Sequence, residues 1–248
     1  MDRGAALVTG ARARVGKALA LALADAGYAV AVHHRDDGEA AEALVEQIRA
    51  QGGQAVSVQA DLAREADTST LVRRAADALG PLTLLVNNAS RFEDDRVGSL
   101  TRHSWDMHIE ANLRAPIVLA EAFAAQAPDG SLILNILDQR VWRPNPQFFS
   151  YTLSKTALWT ATQMLAQALA PRIRVNGIGP GPTLPSIHQD QAAFDAEAAN
   201  IPMQRRVRTE DICAAALYLI GAPAVTGQMI AVDGGQHLAW KTPDIIGD

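Results

Sequence analysis

Short apolar runs recur along the chain and alternate with longer segments that have the periodicity of amphipathic helices. Each run is continuous, as expected for a strand that is buried on both faces of a parallel sheet. The predicted strands are Ala5–Thr9, Tyr28–His34, Gln54–Gln59, Leu82–Val86, Leu132–Leu137, Ile173–Ile178 and Gln228–Val232. The predicted helices are Val15–Ala26, Glu39–Gln51, Arg64–Leu79, Thr101–Gln126, Ser150–Ala170 and Thr209–Ile220. This alternation predicts an α/β protein with a seven-stranded parallel sheet and helices on both faces.

No internal repeat or interdomain linker interrupts the pattern, so residues 1–248 are predicted to form a single domain. Patterning is weak only in residues 184–208, which we expect to form a mobile lid over the substrate. Residues 236–248 follow the last strand as a C-terminal tail. Its Trp240 is expected to close a pocket, either of its own chain or of a neighbouring one.

The composition narrows the functional classes. Of the 248 residues 48% are hydrophobic, and the formal net charge is −5 without a basic run, so nucleic acid and anionic membranes are not expected as partners. The single cysteine, Cys213, excludes an internal disulfide, and His33 and His34 point to opposite faces of a strand, so no metal site is expected. No apolar stretch reaches the ~18 residues of a membrane span, and no signal peptide is recognisable. A cytoplasmic protein is therefore expected.

The first strand ends at Thr9-Gly10, and the next helical segment begins near Val15-Gly16. Strand, glycine turn and helix in this order are typical of a Rossmann fold, in which the free amides at the helix N-terminus bind a diphosphate. Gly10 permits the tight turn, and Gly16 permits close packing of the helix on the strand. Arg14 stands where the usual fingerprint has its middle glycine. We therefore predict a single-domain Rossmann fold with ligands at the carboxyl ends of the strands.

The end of the second strand indicates which dinucleotide is bound. An acid at this place would accept hydrogen bonds from the ribose of NAD, but here His34 and Arg35 occupy it. Arg35 together with Arg12 or Arg14 can form the always charged clamp that a 2′-phosphate favours. The predicted cofactor is NADP(H), although Asp36 weakens that preference.

Three further strand ends carry candidate ligands of the dinucleotide. They are Asp61 and Leu62 after the third strand, Asn88, Ala89 and Ser90 after the fourth, and Pro180, Gly181 and Thr183 after the sixth. Each set also has a purely structural interpretation, since Asp61 can cap a helix and the others can form turns. Phe92 lies in an otherwise charged segment, where it either contacts a planar ligand or anchors the loop.

The fifth strand leads into Asp138, and after a loop a helix begins that carries Tyr151 and Lys155. Residues four apart share a helix face. An ammonium about 4 Å from the phenol, at an effective dielectric near 20, would lower the pKa of Tyr151 by about 3, and desolvation would oppose part of that. Tyr151 is therefore expected to pass a proton near neutral pH. Pro116 interrupts the helical pattern Thr101–Gln126, and Asn112 lies inside it, either as polar filler or to open a backbone carbonyl to a buried water.

In order and spacing these motifs resemble the short-chain dehydrogenase/reductase family over about Ala5 to Gly235. They are Thr9-Gly10 with Gly16, Asp61, Asn87-Asn88-Ala89, Asn112, Tyr151-x-x-x-Lys155, Pro180-Gly181 and Asp233-Gly234-Gly235. The resemblance implies that Tyr151 is the proton donor. Lys155 would hold the ribose hydroxyls and lower the tyrosine pKa, and Asn112 would retain the water of a proton relay. It also implies a homodimer or homotetramer built on the helices Thr101–Gln126 and Ser150–Ala170.

Two departures from the family pattern narrow the substrate. Asp138 stands 13 residues before Tyr151, where the family usually has a serine, and Arg14 replaces a glycine. With Ser90-x-Phe92 and His34-Arg35, these residues resemble the pteridine reductase and dihydromonapterin reductase branch. In that branch Phe92 would stack a pterin over the nicotinamide, while Arg14 and Ser90 would contact the ligand. Asp138 would work with Tyr151 in proton delivery.

We therefore expect an NADPH-dependent reductase of a dihydropterin or a related aminated heterocycle. One alternative is a general carbonyl reductase in which Asp138 is protonated, because an ionised carboxylate would repel a ketone oxygen. The other is a catalytically idle NADP-binding protein that acts as a redox sensor.

Overall fold

The computed structural model describes residues 3–36, 38–185 and 190–240. Within these ranges the strands are β1 Ala5–Val8, β2 Ala29–His34, β3 Ala55–Gln59, β4 Leu82–Asn87, β5 Ser131–Ile136, β6 Ile173–Pro180 and β7 Met229–Val232. They form one seven-stranded sheet in the order β3-β2-β1-β4-β5-β6-β7, and every neighbouring pair is parallel. The Rossmann fold predicted from the sequence is confirmed.

Helices cover both faces of the sheet. On one face α1 (Arg14–Asp25), α2 (Gly38–Ala50) and α8 (Thr209–Ile220) bury a cluster that includes Leu19, Leu44 and Leu219. On the other, α3 (Glu65–Leu79), α5 (Ala115–Gln126) and α6 (Phe149–Leu169) bury a cluster that includes Leu71, Phe123 and Ala166. The two cores explain the continuous apolar runs, because every central strand packs on both sides.

The direction of strand addition reverses between β1 and β4, since the chain builds outward from β1 to β3 and then from β4 to β7. At such a switch point the loops on either side diverge and leave a crevice outside the carboxyl ends of the strands. The loops after β1, β2, β4, β5 and β6 therefore face one opening.

The helical segment predicted from Thr101 to Gln126 is interrupted. It begins as α4 (Arg102–Ile109), passes through a π-helical turn (Glu110–Arg114), and continues as α5. Pro116 has no N–H to donate to the carbonyl of Asn112 four residues earlier, which removes one α-helical hydrogen bond. The interruption thus lies at Asn112 and Pro116, the residues that marked it in the sequence.

The segment 184–208 contains a helix that its weak patterning did not predict. Helix α7 (Gln191–Ala199) begins after Asp190, whose carboxylate accepts a hydrogen bond from the N–H of Ala193 at 2.7 Å. Only Phe194 and Ala198 of this helix are buried, so its apolar stripe is too narrow to stand out in the sequence. Residues 186–189 of the predicted lid lie outside the described residues.

In the sequence Thr209 is a plausible cap of the helix Thr209–Ile220. In the structure it is instead the first residue inside α8, and the carboxylate of Asp211 accepts a hydrogen bond from the N–H of Arg208 at 3.0 Å. In the tail, a 3₁₀ turn spans Gln236–Leu238 and Trp240 is exposed, while residues 241–248 lie outside the described residues.

Helix α6 buries Tyr151 and Lys155 on one face and leaves Leu153 and Met164 exposed on another. The homodimer or homotetramer expected from the resemblance stays a prediction. No helix in the described ranges combines the length and the hydropathy that a membrane span requires.

Candidate active site

A cleft of about 1160 Å³ lies at the carboxyl edge of the sheet. Its lining includes all but one of the residues that the sequence predicts to act in catalysis or in binding the cofactor or substrate: Gly10, Arg12, Arg14, Val15, Gly16, His34, Arg35, Asp61, Leu62, Asn88, Ala89, Ser90, Phe92, Asp138, Tyr151, Lys155, Pro180, Gly181 and Thr183. The exception is Asn112, which is fully buried behind the wall of the cleft. Residues from six strand ends therefore meet in one place.

The turn after β1 requires glycine at two positions, Gly10 and Gly16. A Cβ on Gly16 would lie 2.3 Å from the carbonyl oxygen of Gly10, and Gly10 itself has a φ of +62°. The residue before helix α1, Ala13, offers no capping side chain, and the first turn has no acid. The amides at this helix N-terminus are thus left for an anion, which suits a diphosphate.

Arg14 adopts a backbone conformation that glycine favours. Its φ is +55°, in the left-handed region that ordinary residues avoid. The guanidinium crosses the cleft and donates to the carbonyl oxygens of Leu184 at 3.1 Å and Pro185 at 2.9 Å. Arg14 therefore joins the β1–α1 turn to the start of the predicted lid.

His33 is a structural residue of the site that the sequence did not reveal. Its Nδ1 accepts the N–H of Gly10 at 2.9 Å, so Nε2 carries the proton and donates to the carbonyl of Ala60 at 3.1 Å. Burial is the main reason why the pKa of His33 falls to about 4. A neutral imidazole thus ties the glycine turn to the end of β3.

The loop after β4 is fastened to the same turn. The side-chain amide of Asn88 donates to the carbonyls of Thr9 at 2.8 Å and Gly10 at 3.2 Å. In return, the Thr9 hydroxyl accepts the N–H groups of Asn88 and Ala89 at 2.9 and 3.0 Å. These bonds hold the two sides of the switch-point crevice together.

At the end of β2, Arg35 forms a close ion pair with the neighbouring Asp36. Both side chains are exposed, so the pair is screened by solvent and readily exchanged. After β3, Asp61 accepts the N–H of Ala63 at 3.0 Å, which makes it a turn residue, and α3 begins only at Glu65. The cap interpretation of Asp61 is therefore wrong, and its carboxylate still lines the cleft.

Asp138, Tyr151 and Lys155 converge at the floor of the cleft. The hydroxyl of Tyr151 donates to Oδ2 of Asp138 at 2.8 Å, and Nζ of Lys155 donates to the carbonyl of Ile136 at 2.7 Å. Arg140 holds the carboxylate from the other side, with its N–H 2.8 Å from Oδ1 and Nη1 3.3 Å from Oδ2.

The electrostatics differ from the prediction that Lys155 lowers the pKa of Tyr151. Burial and the carboxylate of Asp138, which accepts a hydrogen bond from the phenol, raise the pKa of Tyr151 well above its ordinary value. The positive charge of Arg140 only partly opposes them. Burial also lowers the pKa of Lys155 to about 8, although Asp138 acts in the other direction. Tyr151 is therefore a phenol that keeps its proton and donates it in a hydrogen bond to Asp138, rather than one poised to lose it. The helix spacing of Tyr151 and Lys155 could not reveal the burial of the phenol, which has the largest effect on its pKa, or the hydrogen bond to Asp138.

An aromatic wall stands above this floor. Phe92 stacks on Phe148 with ring centroids 4.2 Å apart, and meets Tyr151 edge-on at 4.7 Å. The Arg140 guanidinium lies 5.6 and 5.3 Å from the two phenylalanine centroids. Phe148 and Arg140 were not singled out in the sequence, because their contacts with Phe92 depend on the loop between β5 and α6.

Asn112 serves the loop that carries Phe92. Its Oδ1 accepts the N–H of Arg91 at 2.8 Å and the hydroxyl of Ser90 at 3.2 Å. Its Nδ2 donates to the carbonyl of Arg91 at 2.9 Å and to the hydroxyl of Ser154 at 3.1 Å. The side chain is thus fully engaged, and only the Asn112 backbone carbonyl is a candidate for the expected water.

Comparison with known proteins identifies the family to which the chain belongs. The family model described as "Enoyl-(Acyl carrier protein) reductase" matches residues 10–237. The crystal structure of FolM alternative dihydrofolate reductase 1 from Brucella canis, in complex with NADP, is 50% identical over 98% of both chains, with a TM-score of 0.95. The chain belongs to the short-chain dehydrogenase/reductase family.

Other members of the family are also similar to this chain. The 3-oxoacyl-[acyl-carrier-protein] reductase FabG of Staphylococcus epidermidis is 30% identical over 94% of this chain and 98% of its own length. A Burkholderia cenocepacia short-chain dehydrogenase in complex with NADP is 33% identical over 95% of this chain and 98% of its own, with a TM-score of 0.90. The chain is therefore an oxidoreductase, and the predicted cofactor agrees with the one in these crystals. The Brucella relative fits the pteridine reductase branch that the sequence resembles.

Proposed function

We propose that this member of the family is an NADPH-dependent reductase that transfers hydride to a C=N bond of a dihydropterin or a closely related aminated heterocycle. The observation that carries the proposal is the carboxylate of Asp138, which lies at the cleft floor and accepts a hydrogen bond from the hydroxyl of Tyr151 at 2.8 Å. The similarity to an alternative dihydrofolate reductase supports it.

The lining of the cleft suits NADP(H). Gly10, Gly16 and the open N-terminus of α1 would hold the diphosphate. Arg12, His34 and Arg35 would surround the 2′-phosphate, for which Arg35 exchanges its exposed partner Asp36. The other assigned cofactor contacts are Arg14, Val15, Asp61, Leu62, Asn88, Ala89, Ser90, Lys155, Pro180, Gly181 and Thr183. When bound, the cofactor supplies the hydride.

The protein's own contribution is orientation and a proton path. Phe92 would stack on the planar substrate, and Arg14 and Ser90 would bind its polar edge. Asp138, whose carboxylate is held by Arg140, would accept an N–H of the substrate.

Tyr151 keeps its proton while Asp138 is the base beside it, because its pKa is raised. The proton can move only when a stronger base develops, namely the ring nitrogen that gains electron density as the adjacent carbon is reduced. The path then runs from Tyr151 to Asp138 and from Asp138 to that nitrogen. Lys155 stabilises the phenolate that remains, and Asn112 would retain the water that restores the proton.

The same geometry disfavours a plain ketone. A carbonyl oxygen that gains negative charge needs a hydrogen-bond donor, whereas Asp138 presents acceptor oxygens only. The serine usual at this place would supply that donor. An acceptor suits a substrate with N–H groups.

The test follows NADPH oxidation with a dihydropterin, with dihydrofolate and with a panel of ketones. We expect turnover of the dihydropterin and little or none of the ketones. Turnover of ketones alone would favour the carbonyl reductase that the FabG relatives represent. Tight NADPH binding without turnover of any substrate would favour a redox sensor.

Two variants of Asp138 sharpen this test. Asp138→Asn keeps the size and the acceptor for the Arg140 N–H but removes the charge, and we expect it to lower dihydropterin turnover by about 100-fold, the usual contribution of a proton-transfer group. Asp138→Ser should lose the activity as well. Unchanged dihydropterin turnover in both variants would refute the role given to the acid.

A homodimer or homotetramer is proposed on the exposed apolar side of α6, where Leu153 and Met164 project. Light scattering on the purified chain and on Met164→Glu would test it. A monomeric mass for the unmodified chain would end the proposal.

A further inference from the structure

The residues on both sides of Phe92 are held by side chains from the helical segment behind them. Asn112 binds the backbone N–H and carbonyl of Arg91. On the other side, Nε2 of His108 accepts the N–H of Glu93 at 3.1 Å. Phe92 thus lies between two residues whose backbones are fixed by hydrogen bonds, in a segment that has no regular secondary structure.

His108 is the first member of a buried hydrogen-bonded chain. Because its Nε2 accepts from Glu93, its Nδ1 must carry the proton and donate to the hydroxyl of Ser150 at 2.6 Å. Ser150 in turn donates two hydrogen bonds to the carboxylate of Asp95, one from its hydroxyl and one from its backbone N–H. Asp95, His108 and Ser150 are at most 2% exposed.

The donor directions require a neutral imidazole and an ionised carboxylate, and the local electrostatics agree. Burial lowers the pKa of His108 against the opposing charges of Asp95 and Glu93. Burial would raise the pKa of Asp95, but hydrogen bonds from Ser150 reverse the effect and lower it.

These three residue types form the nucleophile, base and orienting acid of many hydrolases, but this arrangement does not. In those enzymes the serine hydroxyl donates its hydrogen bond to the histidine, whereas here the hydroxyl of Ser150 donates to Asp95 and accepts a hydrogen bond from His108. None of the three lines the cleft. They are therefore not catalytic residues in contact with substrate.

The hydrogen bonds among Asp95, His108 and Ser150 instead connect the Phe92 segment to the start of α6. The backbone carbonyl of Asp95 accepts the N–H of Phe149 at 2.9 Å, and Asp94 accepts the N–H of Phe148 at 3.2 Å. Tyr151 follows Ser150 directly. The same bonds therefore set the distance between the aromatic wall and the proton donor.

We propose that Asp95, His108 and Ser150 are positioning residues for the reduction, which hold Phe92 at stacking distance above Tyr151 and Asp138. A buried polar network of this kind contributes little net stability compared with an apolar core of the same volume, but its directional bonds select one arrangement. The proposal rests on the proposed stacking of the substrate on Phe92.

Ser150→Ala is the informative variant, because it removes one hydroxyl and breaks both links of the chain. We expect the KM for the heterocyclic substrate to rise about tenfold or more, with a smaller fall in kcat and no change in NADPH affinity measured by fluorescence titration. Thr156→Ala is the matched control. It removes a hydroxyl that bonds a backbone carbonyl on the same helix at 2.8 Å, away from the cleft, and should leave KM unchanged.

A double-mutant cycle with Phe92→Ala separates positioning from general stability. If Ser150 acts through Phe92, then Ser150→Ala should raise KM by less than twofold in the Phe92→Ala background. Equal effects in both backgrounds, or a lower melting temperature with an unchanged KM, would overturn the inference. Failure of the proposed function would look different, since the unmodified enzyme would then not turn over the dihydropterin, and the cycle would be repeated with whichever substrate it does reduce.

Discussion

Replacing His33 should remove a large part of the pH dependence of folding between pH 4 and pH 6.5. The neutral imidazole links Gly10 to Ala60, and burial lowers its pKa from 6.5 to about 4. In that window the unfolded chain binds a proton that the folded chain does not, so folding loses stability as the pH falls. The pKa difference amounts to about 3 kcal/mol in total, of which about 2 kcal/mol is lost between pH 7 and pH 5.

Urea unfolding at pH 7 and pH 5 measures this loss. In the unmodified chain the free energy of unfolding should fall by about 2 kcal/mol more than in His33→Gln, which cannot titrate. His103 is exposed on α4, and His103→Gln is the control that should keep the full slope. If His33→Gln and the unmodified chain lose the same stability between the two pH values, then His33 does not stay neutral in the fold and its link to Gly10 is wrong.

Three further predictions concern the lining of the cleft. Burial lowers the pKa of Lys155 from 10.5 to about 8, so between these pH values the unfolded chain binds more protons than the folded one. In denaturant unfolding, the stability of the unmodified chain relative to Lys155→Met should therefore rise by about 2 kcal/mol from pH 8 to pH 10. A stability difference that stays constant with pH would contradict the buried ammonium. Because Arg14 has a φ of +55°, Arg14→Gly should be about 1 kcal/mol more stable than Arg14→Ala in urea, the reverse of the order inside a helix. Tyr151→Phe should lower kcat about 100-fold or more while fluorescence titration shows unchanged NADPH binding, and a kcat near that of the unmodified enzyme would exclude Tyr151 as the proton source.

Most of the fold follows from local patterns in the sequence. Strands packed on both sides appear as uninterrupted apolar runs, and β1 and β5 are fully buried along their whole lengths. Residues just after such runs must meet at the carboxyl edge of a parallel sheet, so their positions in the sequence are enough to assign Asp138 and Gly10 to one cleft. Helix α7 was missed because two buried side chains do not make a visible periodicity.

The unpredicted parts of the site depend on contacts between distant residues. His33 meets Gly10 across 23 positions, and His108 meets Ser150 across 42, and nothing in the spacing of either pair marks it. The pKa of Tyr151 was predicted in the wrong direction for a related reason. Helix periodicity places Lys155 on the same helix face as the phenol, but burial and the carboxylate of Asp138 are tertiary effects, and they raise the pKa of Tyr151 against the opposing charge of Arg140.

Asp138 and Arg140 depend on each other, so neither can be substituted alone without a loss of stability. Its carboxylate neutralises Arg140, whose side chain is only 18% exposed and lies against the rings of Phe92 and Phe148. A serine at position 138 would leave that guanidinium largely buried without a counter-charge, at a cost of several kcal/mol. A ketone reductase built on this loop would therefore need a second change at Arg140. The proposed preference for a substrate with N–H groups is thus tied to the acid, the arginine and the aromatic wall together.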